Sequence, residues 1–583
     1  MKKTQRSVKL TALLSVGAIA LAACGSSSSS SSGDTSPATT APAAETTTTA
    51  AAGDTTVAAG GDTTVAGSGS GATAMTITYD ISPDAVWEDG TPITAADFQC
   101  TWEANLKTPG SIGTAGYDQI TTVEAGSSDK QVVASFSQVY APYKGLFNPI
   151  IKKAAVKDCA DVSEDFSTEL PISGREWKIQ SWSADQEILV PNDKYWGKNK
   201  PVASQLVMVP RPDTEIEALK AGEVDFIYPQ FHAGIQDELA DPNVKTVLNY
   251  GGDYEAMYMN LGADRPFSDP ALREAFYKSI DLDALFKQIY IPIAADGKLL
   301  TCGPIVPGKY CPTGIFGNKF DQAAADKILT DAGYAKGADG MWAKDGKVPE
   351  IKWMVNAGNK RREDTQAYLI PLLAKAGFKV TADNCDADCV FQQRLPGMDY
   401  DLAMYISTAP PDPTYLIPSF AGDQIPTAAN GNAGQNFQAW NNEAATKALH
   451  DSDHEVDEAK RATLIQSAIK EMDKDYILIP LFQFPKSGAY RTDKTADVDG
   501  QLNNYRAFSD TYKWKDLDGD GKVVIGAEQW PSCLNPITEC ANSSWYVWTV
   551  SFPVLPGVYD TTNDADYVLT DLMASEPKVE VTG

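Results

Sequence analysis

Three sets of residues in this chain have the types and spacing for chemistry. Asp516, Asp518 and Asp520 alternate along Asp516-Leu517-Asp518-Gly519-Asp520-Gly521, with a glycine at the sharp turn that a calcium loop needs. The glutamate that should close such a loop at its twelfth position, Glu528, falls at the thirteenth, and Val523-Val524-Ile525 reads as strand rather than exit helix. Calcium and a polar connector built for a tight turn both stay open there, and no metal ligand is assigned. His450 and His454 share a helical face, but no third ligand accompanies them, so they read as solvated surface. The third set is nine cysteines. There is no G-x-S-x-G, P-loop or H-E-x-x-H pattern. The chain is therefore not expected to be an enzyme, and no cofactor is expected.

The amino terminus sets the compartment. Lys2, Lys3 and Arg6 precede a mostly apolar run over residues 10–23, too short to span a bilayer. Residues 1–24 read as a signal peptide. Leu21-Ala22-Ala23-Cys24 followed by Gly25 resembles a bacterial lipobox, which implies lipid attachment at Cys24 and anchoring to the membrane rather than spanning it. Residues 25–73 are Ser, Thr, Ala and Gly with a repeated Gly-Asp-Thr-Thr-Val-Ala; they have too little apolar surface to fold and read as a disordered tether. In an exported protein the eight remaining cysteines are expected to form disulfides. Cys302/Cys311, Cys385/Cys389 and Cys533/Cys540 are close in sequence, leaving Cys100 and Cys159 for each other. A net charge of −28 argues against nucleic acid, which needs a basic footprint.

Local signals then place the elements. Thr76 to Ile81 alternates like a strand. In Trp87-Glu88-Asp89-Gly90-Thr91-Pro92-Ile93-Thr94-Ala95-Ala96-Asp97-Phe98, Asp-Gly makes a turn and Thr94 with Asp97 forms a capping box. Asp269 caps a helix with Pro270 at its first position, and Asp281 starts the next. The first stretch resembles the signature of the family 5 extracytoplasmic solute-binding proteins, the peptide- and nickel-binding class that serves ABC importers. So do Asn192-Asp193-Lys194-Tyr195-Trp196-Gly197, Ala218-Leu219-Lys220-Ala221-Gly222-Glu223-Val224-Asp225, Pro266-Phe267-Ser268-Asp269 and Ala325 to Tyr334, in the family's order. The resemblance implies an α/β, periplasmic-binding-protein-like fold with two lobes, a hinge and an extra domain.

One feature departs from the family's order. The family's opening strand and the region after it should precede the Asp89-Gly90 motif, but only a short strand stands there. Their counterparts come last: Val523 to Trp530, Cys533-Leu534-Asn535-Pro536, then Val554 to Asp560 and Leu569 to Ser575. The chain is therefore read as circularly permuted. A break at a hairpin turn is tolerated because few contacts depend on continuity there. This reading requires residues 578–582 to pair antiparallel with Met75–Asp80. The rival is a truncated second copy, too short to bury its own core. The expected domains are residues 74–173 as the smaller extra domain, completed by 550–583, residues 174–260 as lobe I, completed by 486–549, and residues 261–485 as lobe II.

The resemblance implies capture of a small solute, peptide-like or otherwise polar, by a lipid-anchored monomer on the periplasmic or cell-surface side. Delivery would be to an ABC permease and ATPase on separate chains. The alternative is a surface lipoprotein receptor or scaffold that signals without transport. In peptide-binding relatives an aspartate after the Asp401-Leu402-Ala403 strand receives the ligand's α-amino group; here that position is Ala409, which puts an ordinary peptide ligand in doubt. Pockets of this kind combine aromatic walls with a few polar groups. Gln529, Trp530, Ser407, Thr408, Asn436, Phe437 and Trp440 are the expected ligand contacts.

Overall fold

The computed structural model describes residues 73–583 except 213, 230–231, 233, 387–388, 431–433, 500–507, 528, 539–549, 563–565 and 583. The signal segment, Cys24, almost all of the tether and Cys540 lie outside the described residues.

Alternation builds the smaller sheet. Met75–Asp80 and Gln131–Phe136 each bury every second residue, in opposite phase, and pair antiparallel from Met75↔Phe136 to Asp80↔Gln131. The sheet order is Ile120–Ala125, Gln131–Phe136, Met75–Asp80, Lys578–Val581. The last strand runs antiparallel to the first, from Met75↔Val581 to Thr78↔Lys578, which is the pairing the permuted order calls for.

A second sheet has ten strands, in the order Lys379–Ala382, Glu350–Met354, Leu402–Thr408, Val244–Met259, Leu478–Arg491, Phe226–Ile227, Lys522–Ala527, Gln205–Pro210, Glu187–Pro191, Trp177–Trp182. The late strand Lys522–Ala527 lies inside this sheet, parallel to both Gln205–Pro210 and Phe226–Ile227. The C-terminal part of the chain is thus built into both sheets. Two strands far longer than the rest, Val244–Met259 and Leu478–Arg491, pair antiparallel across the sheet's centre. Their register shifts between Pro480 and Phe482 and again between Gln483 and Pro485. Beside that break the Gly252 backbone lies so close to its neighbour that a Cβ would sit 2.0 Å from the Ala409 carbonyl oxygen, so only glycine fits.

Two large apolar clusters make up most of the interior, beside a small third one around Tyr400. One gathers Leu219, Ile227, Met257, Phe276, Trp353, Leu402, Ile469 and Leu481; the other joins the small sheet (Ile77, Tyr79, Phe136) to Trp177, Leu189, Leu206, Ile525 and Leu555. The small sheet therefore shares its core with the outer strands of the large one.

The sequence motifs act as joints. Asp97 accepts from Thr94 N–H (2.8 Å), the Trp87 indole (3.3 Å) and Lys153 N–H (2.9 Å), tying turn, helix Ala95–Lys107 and a distant loop to one carboxylate. Asp269 and Asp281 cap their helices through Ala271 N–H and Ala284 N–H. Tyr195 and Trp196 donate to Asp571 (3.2 and 3.0 Å), and Arg175 forks onto Asp560 (both 3.2 Å), fastening the C-terminal segment. Disulfides Cys100–Cys159, Cys302–Cys311 and Cys385–Cys389 form as expected. Cys533 is also disulfide-bonded, while its expected partner Cys540 is not described. Among the described residues no helix is long and apolar enough to cross a membrane.

Candidate functional site

A cavity of about 600 Å³ opens between three parts of the chain: residues 105–149 around the small sheet, residues 408–414 at the end of strand Leu402–Thr408, and residues 536–537 and 552–561 with Tyr567. Its walls carry Tyr117, Tyr140, Phe552, Tyr559 and Tyr567, with Ile112, Leu146 and Leu555. Six prolines, at 142, 149, 410, 411, 536 and 556, also line it. Proline has no N–H, so these positions offer a ligand no backbone donor.

The wall at residues 408–414 contains a buried ion pair. Arg461, on helix Glu458–Lys474, donates to both Asp412 oxygens at 2.5 and 2.7 Å, and its Nε donates to the Ser452 carbonyl at 2.9 Å. Arg461 is 4% exposed and Asp412 8%. Burial works against the guanidinium's charge, but the hydrogen bonds and charge of Asp412 outweigh it and push the Arg461 pKa up. Asp453 lies 3.6 Å from Arg461 and accepts from the Thr414 hydroxyl at 2.7 Å. Its burial outweighs that hydrogen bond and raises its pKa to about 6.

The same corner joins the cavity's two sides. Ala141 N–H donates to the Asp453 carbonyl at 2.7 Å, and His454 Nδ1 lies 2.6 Å from the Val139 carbonyl. A tyrosine pair packs on the Leu402–Thr408 strand. The rings of Tyr258 and Tyr405 stack at 4.3 Å, and the Tyr258 hydroxyl and Ser407 Oγ are 2.7 Å apart.

Of the expected ligand contacts, Thr408 lines this cavity and the other six do not. Ser407 faces the tyrosine pair. Asn436 is fully buried, with its amide donating to the Ala421 and Trp440 carbonyls at 2.9 and 2.7 Å. Trp440, 2% exposed, donates its indole N–H to Asp475. Phe437 packs near Tyr400, whose hydroxyl bonds the Phe437 carbonyl. These three hold a loop together. Gln529 is exposed, and Trp530 donates to the Ser183 carbonyl at 2.8 Å beside the outer hairpin. Ala409, which stands where the resemblance implied an amine-binding aspartate, is 3% exposed and donates its N–H to the Gly252 carbonyl at 2.8 Å.

Sequence reasoning missed the ion pair and the walls contributed by residues 105–149. One signal for the former was available: Arg461 occupies the same helical face as Ile465, Ala468, Ile469 and Met472, where an arginine needs a partner. Asp516, Asp518 and Asp520 do converge, with oxygens within 4.8 Å of one another. Asp516 accepts from Gly519 N–H and Gly521 N–H, and Lys494 sits 3.0 Å from Asp518. His450 pairs with Asp423 at 2.9 Å, away from the partner of His454.

Comparison with known proteins places this geometry. The family model described as bacterial extracellular solute-binding proteins, family 5 (middle region), matches residues 70–427. The probable monoacyl phosphatidylinositol tetramannoside-binding protein LpqW of Mycobacterium tuberculosis is 29% identical over 219 residues, a match covering 36% of this chain and about a third (34%) of that relative's length. The oligopeptide-binding protein OppA of Bacillus subtilis is 25% identical over 67% of this chain and 74% of its own. Among solved structures, a periplasmic EDTA-binding protein, EppA, has a TM-score of 0.65 at 22% identity, covering 76% of this chain and 84% of its own. NikZ of Campylobacter jejuni, in complex with Ni(L-His), has a TM-score of 0.63 at 18% identity, covering 76% of this chain and 89% of its own.

Proposed function

Since the chain belongs to family 5 of the bacterial extracellular solute-binding proteins, we propose that it is an extracytoplasmic receptor that captures a small solute and passes it to an ABC import permease. The observation that carries this reading is the cavity of about 600 Å³ whose walls come from both sides of the molecule, with two long continuous strands running between the two apolar clusters. A ligand touching both walls interacts with each only when they are together, so binding shifts the population toward the closed arrangement. The register breaks at Pro480–Phe482 and Gln483–Pro485 mark where those strands would flex.

In this reading Cys24 carries the lipid, residues 25–73 hold the receptor off the membrane, and permease and ATPase are separate chains. The receptor acts as a monomer. We also propose that the chain order is permuted. Supporting this are the antiparallel pairing of Met75–Asp80 with Lys578–Val581 and the place of Lys522–Ala527 inside the large sheet.

The test is a thermal-shift screen of the chain against peptides, amino acids, sugars, nickel chelates and uncharged apolar solutes. A ligand that binds only the native state raises the midpoint by mass action. The expected result is one class that raises it in a saturable way. No shift with any class would overturn the receptor reading.

A further inference from the structure

We propose that the cavity takes an uncharged, mainly apolar solute and discriminates against zwitterionic peptides, an inference that rests on the solute-capture reading. The charged residues among the cavity's described walls are Asp412 and Asp560, and both are already paired. Asp412 is held by Arg461 at 2.5 and 2.7 Å, and Asp560 by Arg175 at 3.2 Å through both oxygens. Recruiting either carboxylate to a ligand's ammonium would take it from a buried arginine, and stranding such a charge in the interior is strongly unfavourable. A ligand carboxylate fares no better, since both guanidiniums are engaged by their aspartates.

Most of the neutral polar groups are engaged too, and the buried Thr561 Oγ1 is the one left without a partner among the buried polar atoms of the described walls. The Asn148 amide accepts from Tyr559 N–H and donates to the Lys144 carbonyl, Asn105 donates to the Thr101 carbonyl, and the Tyr559 hydroxyl donates to Glu576. The Tyr117 hydroxyl accepts from Phe147 N–H, and Thr414 donates to Asp453. With six prolines removing backbone donors, what the described walls present to a ligand is mainly aromatic ring, aliphatic side chain and pyrrolidine, with a few uncharged hydroxyls such as Thr561. An apolar body gains there by leaving water, whereas a charged end group loses hydration without replacement.

Ile112 allows a direct test. It lines the cavity yet is 36% exposed, so a charge there leaves the interior packing alone. The probe is N-phenyl-1-naphthylamine, an uncharged fluorophore, titrated into the full chain, with tri-alanine as the zwitterionic competitor. The expected result is saturable fluorescence enhancement, at least tenfold weaker for Ile112→Asp. Val202→Asp, at an exposed site off the cavity, should leave it unchanged. Tri-alanine in hundredfold excess should neither displace the probe nor raise the unfolding midpoint. Displacement or a midpoint shift by tri-alanine would overturn the ligand class and leave solute capture standing. Probe binding indifferent to Ile112→Asp would overturn the assignment to this cavity. Failure of neutral, zwitterionic and nickel–histidine ligands alike would sink both this inference and the capture reading.

Discussion

Glu187 and Glu255 are both 0% exposed in strands of the same ten-stranded sheet, and only one has partners. Glu255, on the long strand Val244–Met259, accepts from Arg361 at 2.9 and 3.0 Å, from Arg362 at 2.7 Å and from the Tyr290 hydroxyl at 3.1 Å. Arg361 also stacks over Phe484 of the neighbouring long strand at 4.6 Å. Glu187, on the outer hairpin opposite Trp182 and Met208, has neither oxygen bonded, and the Trp182 and Trp177 indole N–H groups are likewise unpartnered. Burial pushes both carboxyls up. For Glu255 the two arginines outweigh it and hold the pKa at about 2, whereas for Glu187 nothing opposes it. The contrast separates a central strand pinned by paired charges from an outer hairpin that buries an unpaired carboxyl.

The largest test of that contrast is Glu255→Ala. It strands two arginines in the interior and should destabilise the protein by about 3–5 kcal/mol in urea denaturation. A loss under about 1 kcal/mol would erase the distinction. Glu187→Met should act in the opposite direction, stabilising by about 1–3 kcal/mol at pH 8, because it removes an unpaired polar group from an apolar site.

The signs with pH differ as well. The folded pKa of Glu187 is raised, so its contribution is present below the unfolded value of 4.5 and is lost as pH rises. That of Glu255 is depressed, so its contribution is present above 4.5 and lost as pH falls toward about 2. Unfolding midpoints across pH should show the Glu187→Met gain shrinking toward pH 4. Asp453 extends the comparison to the cavity corner. With its pKa raised from 3.8 to about 6, its contribution fades as pH climbs between those values, by about 3 kcal/mol. Asp453→Asn should flatten that slope in the same pH series. The smallest effect is expected where Trp530 meets the turn of the outer hairpin. Trp530→Phe deletes one exposed hydrogen bond to Ser183 and should cost under about 1 kcal/mol in thermal unfolding.

Local chemistry explains which parts of this molecule could be read from its sequence. The Thr94–Asp97 box, the caps at Asp269 and Asp281 and the alternation of Met75–Asp80 are set by neighbours in the chain, and the structure shows them where periodicity placed them. The pairing with Lys578–Val581 was legible from the family's order of motifs, which spans the whole body. The cavity was not. Asp412 meets Arg461 from 49 residues away, and Asp560 meets Arg175 from 385. Asn436 and Trp440 looked like pocket residues because amides and indoles bind ligands, but the same groups satisfy buried carbonyls and carboxylates inside a loop. Residue type alone does not separate those uses; position relative to the cavity does.

The ladder between Met75–Asp80 and Lys578–Val581 also sets how the molecule would respond to force. Thr582 N–H donates to the Ala74 carbonyl at 2.9 Å, so the point where residue 73 enters the fold and the point where the chain leaves it are side by side. Lys578–Val581 is an edge strand. A pull between those two points would load its hydrogen bonds one after another, unzipping the strand rather than shearing it, so this edge should peel at low tension while the ten-stranded sheet stays intact.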